Sequence, residues 1–150
     1  MRLLSAVLLA ALSLTFTDAV QADDAKSDTE IIQGTWKIVK AEKDGNPIPE
    51  EVIKQVLRIV FDGEKFRSDE TGAHNALEAT FKLDQNKKPK ALDLTFLNAP
   101  LKGEKVACIY ELKGDDLKLV LPIREKTDRP TEFKTAPGSD LALYVLKRVK

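Results

Sequence analysis

From residue 34 onward the apolar residues recur at every second position, in short runs. Leu57, Ile59 and Phe61 share a face opposite Arg58 and Asp62. Leu77, Ala79, Phe81 and Leu83 alternate with Glu78, Thr80 and Lys82. Leu92, Leu94 and Phe96 alternate with Asp93 and Thr95. Val106, Cys108, Tyr110 and Leu112 form another such face, and Leu117, Leu119 and Leu121 a further one. Side chains on a strand point alternately to its two sides, so a period of two with one wet face marks antiparallel strands packed on a core. Trp36 and Ile38 lead the first run. The last run, Leu141 to Leu146, is apolar on both faces, which leaves its orientation open.

The breaks between runs carry the same message. Gly45, Gly63, Gly72, Gly103, Gly114 and Gly138 sit in polar clusters, and the prolines fall outside the alternating runs. Glycine supplies positive φ and proline cannot donate to a ladder, so both mark turns in an all-β chain. Phe61-Asp62-Gly63-Glu64-Lys65-Phe66 reads as a hairpin, as does Leu112-Lys113-Gly114-Asp115-Asp116-Leu117. The one helical stretch is Pro49 to Val56, which opens with proline followed by Glu50 and Glu51. The pattern predicts an all-β antiparallel meander of about eight strands, with Lys65 to Asp69 the weakest and one short helix after the first strand. Closing the meander into a barrel hides the apolar face and removes the sticky edges. A barrel of about eight strands either fills with side chains or holds one small ligand, and leucine and phenylalanine on most faces point to a largely filled interior.

The N-terminus reads differently. Arg2 precedes an apolar stretch from Leu3 to Phe16, and Val20-Gln21-Ala22 forms a small-x-small exit. That is the layout of a signal peptide over residues 1–22, and the stretch falls short of the about 20 apolar residues of a bilayer span. Export to a periplasmic or extracellular location is expected, with no stable membrane anchor after cleavage. Residues 23–31 read as a mobile tail and residues 32–150 as the barrel domain. The 150-residue chain carries 24 basic and 24 acidic residues. Formal neutrality argues against nucleic acid, which requires a basic face, and against an electrostatic membrane tether. Cys108 is the only cysteine, so the domain holds together without an intrachain disulfide.

No motif for catalysis stands out. His74 is the only histidine, and one histidine with a distant cysteine does not make a zinc site. Cys108 lies mid-strand between Ala107 and Ile109, with no neighbouring base, and reads as a buried inert thiol. Asp115 and Asp116 follow Gly114 in a turn, where solvated acids are expected. Lys87-Lys88-Pro89-Lys90 reads as a solvated basic turn without interleaved stacking aromatics. The expectation is a non-enzyme without metal or cofactor. Trp36, at the start of the first strand, serves best as a plug closing one end of the core. Any polar recognition must come from loops, since the alternating faces offer only apolar groups inside. If a ligand binds, Ile48 and Ile53 around the short helix, with Arg129 and Phe133 in the loop from Pro122 to Phe133, form the predicted mouth; the alternatives are that the helix merely caps a barrel end and that Arg129 to Phe133 staples the long loop.

Gly34-Thr35-Trp36 resembles the lipocalin signature. The wider pattern includes Lys43-Asp44-Gly45, Pro47-Ile48-Pro49-Glu50-Glu51, Val60-Phe61-Asp62-Gly63-Glu64-Lys65-Phe66, Thr80-Phe81-Lys82-Leu83-Asp84, Lys87-Lys88-Pro89-Lys90-Ala91-Leu92-Asp93-Leu94, Ile109-Tyr110-Glu111-Leu112 and Arg129-Pro130-Thr131-Glu132-Phe133. From about Ile32 to Arg148 the chain is similar to a lipocalin-like domain family abundant in Planctomycetes. The resemblance implies a lipocalin-like barrel and export. It implies that Gly34 permits close backbone approach, that Trp36 plugs one end, and that a cation of the last strand, Lys147 or Arg148, packs over the tryptophan. It brings no assigned activity, ligand or catalytic residue. The function expected is that of a binding module for a small apolar or amphipathic ligand. The alternative is a structural or protein-interaction domain with a filled barrel.

Overall fold

The computed structural model describes residues 26–70 and 76–150. The proposed signal peptide and His74 lie outside the described residues. Among the described residues nine strands follow in order: β1 (Gly34–Lys43), β2 (Asn46–Pro47), β3 (Val56–Asp62), β4 (Lys65–Glu70), β5 (Leu77–Asp84), β6 (Lys90–Phe96), β7 (Lys105–Lys113), β8 (Asp116–Pro122) and β9 (Leu141–Arg148). Helix α1 (Asp28–Ile31) precedes them and α2 (Glu50–Gln55) lies between β2 and β3.

Every pairing is antiparallel. The sheet runs from β1 through β3, β4, β5, β6, β7 and β8 to β9, and β9 pairs back onto β1. The result is a closed eight-stranded barrel, to which the two-residue β2 adds only a short hairpin on β1. Pro47 lies in β2 and Pro122 is the last residue of β8, both positions where a missing N–H costs the ladder little.

The alternation sets what faces inward. Trp36, Ile38, Ile59, Phe61, Phe81, Leu92, Leu94, Tyr110, Leu117, Leu119 and Leu146 belong to one buried cluster. Phe61 meets Phe66 and Phe81 edge-on, at ring-centroid distances of 5.5 and 5.0 Å. The last strand resolves in the same way: Tyr144 and Leu146 join the core, which by parity turns Leu143 and Val145 outward.

Trp36 and the chain ends close one end of the barrel. The tail expected over residues 23–31 is corrected in its second half: Asp28–Ile31 forms a helical turn docked on this end. Isolated helices this short do not form in water, so docking makes this one. Asp28 Oδ2 accepts from Lys90 Nζ at 2.6 Å and from the Tyr110 hydroxyl at 2.8 Å, and the Asp28 amide donates to Gln85 Oε1. Ile32 follows, fully buried, and its carbonyl accepts from Trp36 Nε1 at 2.8 Å. The cation over the tryptophan is Arg148, its guanidinium 4.4 Å from the ring centroid. It also donates to the carbonyls of Gln33 at 2.6 Å and Ile31 at 2.5 Å and pairs with Asp115 at 3.0 Å. Lys147 points elsewhere, to Asp116 at 2.8 Å. Gly34 has φ +116°, and a Cβ there would lie 3.2 Å from Arg148 Nη1, so this seat needs glycine.

Candidate functional site

The other end of the barrel is built from loops. It gathers the β1–β2 turn, α2, the connection from β6 to β7, and the 123–140 segment joining β8 to β9. Here Leu77, Phe96, Leu101, Val106, Leu121 and Ile123 line a cleft of about 450 Å³. Leu77, Leu101, Val106 and Leu121 pack partly buried against the core, so the floor is continuous with the barrel interior. The rim is charged, with Glu104 and Lys105 from one side and Arg124, Glu125 and Lys126 from the other. Arg124 pairs with Asp140 at 3.0 Å. Glu104 and Glu125 share a hydrogen bond across the cleft. That bond, then desolvation, then the Glu125 charge hold the Glu104 carboxyl above the ordinary glutamate range.

Of the predicted mouth, only the start of the 122–133 loop reaches this cleft. Ile48 and Ile53 pack on the core at the same end but do not line it. The Ile48 amide donates to the Ala41 carbonyl, and α2 starts on Pro49, whose carbonyl accepts from Val52 and Ile53. This seats α2 between the upper part of β1 and the start of β3.

Arg129 and Phe133 are corrected: they leave the mouth and lie along the outer wall. Arg129 Nη1 donates to the Cys108 carbonyl at 2.7 Å, and Nη2 to Asp93, an outward side chain of β6. Phe133 lies beside the β5–β6 turn, near Pro89 and Leu112. The 123–140 segment is therefore a strap over the barrel wall. By strand parity Ala91, Ile109 and Val120 face outward, yet they are 2%, 0% and 0% exposed. The strap, with Pro130 buried, covers this row. Its far half latches onto the β1–β2 turn. Thr135 Oγ1 donates to Glu42 and accepts from the Gly45 amide, and the Asp140 amide donates to Asp44 Oδ1. Gly45 has φ +81°, and a Cβ there would meet Pro137 at 2.6 Å, so the latch requires glycine.

The residues that line the cleft were partly legible. Leu77, Phe96, Val106 and Leu121 fall on the inward faces of the alternation, but which end of the barrel each occupies follows only from strand order and register. Leu101 and Ile123 lie in loops, where the alternation gives no signal.

Among the described residues the buried titratable groups are held in their neutral forms. Burial pushes the Cys108 thiol up to about 12; the Arg129 guanidinium pulls it down and Asp93 adds to the rise. A thiol so held is not a nucleophile at neutral pH. Burial, then the hydrogen bond to Asp28, raises Tyr110, and burial raises Tyr144. Among the described residues no three His, Cys, Asp or Glu side chains gather as a metal-binding group. No family model, curated protein or solved structure matches the chain.

Proposed function

We propose that the chain is an exported, non-enzymatic lipocalin-like module that takes a small apolar or amphipathic ligand in the cleft at its loop-built end. The observation that carries this reading is the cleft itself: an apolar floor joined to the core, a charged rim, and a volume of about 450 Å³. That volume falls within the range of about 300–1,000 Å³ typical of small-molecule sites. Apolar surface below and charge above suit a ligand with one greasy end and one wet end. The stacking of Arg148 on Trp36 beside Gly34 supports the likeness to lipocalins.

A second reading has its own observation. The interior is packed by Trp36, Tyr110 and the Phe61, Phe66 and Phe81 rings, which favours an interaction domain that uses its surface alone.

A neutral, environment-sensitive apolar fluorophore separates the two. The first reading expects saturable binding to the folded chain, weakened about tenfold by Leu101→Ser and by Val106→Arg as floor contacts are lost. Thermal unfolding of each variant confirms that it is folded. A stable wild type that binds no fluorophore favours the interaction domain, as does binding indifferent to both substitutions.

A further inference from the structure

The β5–β6 turn carries Lys87 and Lys88, and Lys90 opens β6, in a chain that is formally neutral. Read along the sequence this is a solvated turn, because no aromatic residue is near. The strap changes its surroundings. Lys87, Lys88, Pro89, Leu112, Lys113 and Phe133 come together around a pocket of about 320 Å³. The pocket lies beside the Trp36 end of the barrel, away from the cleft that carries the proposed function.

Not all of its charge is free. Lys90 is held by Asp28 at 2.6 Å and Lys113 by Glu111 at 3.3 Å. Asp84, at the end of β5, accepts from the Asn86 amide at 3.1 Å. Lys87 and Lys88 are exposed and form no ion pair among the described residues. Both lysines line the pocket together with an apolar surface made of a half-buried phenylalanine ring, a proline and a leucine. Exposed ammonium groups alone hold an anion weakly, since water and salt screen them. A small ring surface alone gains little as well. Together they select a ligand that carries both features.

We propose that this pocket binds a small organic anion in which a flat apolar ring adjoins a sulfonate, sulfate or carboxylate group. The ring packs against Phe133, Pro89 and Leu112, and the anionic group lies between Lys87 and Lys88. Salt weakens the complex through the second contact and leaves the first in place.

The test uses 2-naphthalenesulfonate titrated into the full chain by calorimetry. Expected is saturable binding that weakens at high salt and falls about tenfold or more in Lys87→Glu/Lys88→Glu. Phe133→Ala weakens it as well, while Leu101→Ser, in the cleft, leaves it unchanged. Inorganic sulfate and neutral 2-naphthalenemethanol each compete far less well than the parent probe. The charge-reversed lysines are exposed, so this variant folds even if the loss of Phe133 loosens the strap. Four results overturn the proposal: no binding, affinity retained in the lysine variant, sulfate alone competing as well as the probe, or loss of binding in Leu101→Ser. The last would move the probe to the cleft and leave the apolar-ligand reading standing.

Discussion

The two ends of the barrel solve the same problem in opposite ways. At the Trp36 end a single large ring is held by the Arg148 guanidinium over its face and by its own ring nitrogen, which donates to the carbonyl of the buried Ile32. The Trp36 ring nitrogen and the Arg148 guanidinium each have named partners, and residues from both ends of the described chain contribute. At the other end no single one of the described residues plugs the opening. Loops stand around an apolar floor, and contacts at the rim include the Arg124–Asp140 ion pair and the hydrogen bond between the Glu104 and Glu125 carboxyl groups. An end sealed by packing contributes stability, whereas an end left open to the core is where a ligand can displace water from apolar surface.

The largest effect expected from this contrast is at the sealed end. Trp36→Ala should cost about 3–5 kcal/mol, the range for deleting a large buried aromatic, measured as a shift in denaturant midpoint. A shift no larger than that of a surface substitution would mean the ring does not close the core. Arg148→Ala should cost less, about 2–3 kcal/mol, because it leaves the Gln33 and Ile31 carbonyls without their charged donor. Arg148→Lys should recover less than half of that, since an ammonium lacks the planar fork that reaches both carbonyls while lying on the ring. Full recovery by lysine would reduce the contact to charge alone.

The smallest effect belongs to the open end and concerns pH. Glu104 binds its proton more tightly in the folded chain than it would unfolded, chiefly through the hydrogen bond with Glu125. A group with a raised folded-state pKa contributes fully at low pH, and the contribution is lost as pH rises through that raised value. Residues 101–105 and 123–127 should therefore exchange amide hydrogens more slowly at pH 4 than at pH 7, after correction for intrinsic rates. Glu104→Gln, which can donate to Glu125 without a proton from solvent, should remove the difference. The same pH dependence in both proteins would mean the two walls are not joined there.

The barrel was legible because it follows from local pattern. Alternation at Leu77–Leu83 or Leu117–Leu121 fixes which side of a strand is dry, and a dry side must be enclosed. Trp36 was legible as a plug for the same reason: a ring of that size at the edge of an apolar face has few other uses. What the pattern left open was whatever depends on a distant partner. The choice between Lys147 and Arg148 turns on strand register against Trp36, and Asp28–Ile31 becomes helical only because Tyr110 and Lys90 hold it. The predicted mouth failed at Arg129 and Phe133 because loop composition does not reveal a path. The strap runs outside the barrel because Ala91, Ile109 and Val120 present an apolar row on the wrong face. Apolar residues that break the alternation in three adjacent strands were the available signal, and they mark a wall that something must cover.

The grip of Arg148 on the carbonyls of Ile31 and Gln33 joins positions 117 and 115 residues apart. β1 takes its second neighbour, β9, from the far end of the chain. A ribosome that delivers this chain from its N-terminus therefore releases an unclosed sheet until β9 is free. Pairings at such long range carry a large loop-closure cost and set a slow pace for folding. During that interval β1 exposes an unpaired edge, the kind of surface on which chains pair with one another. Loss of β9 would leave that edge of β1 unpaired for good.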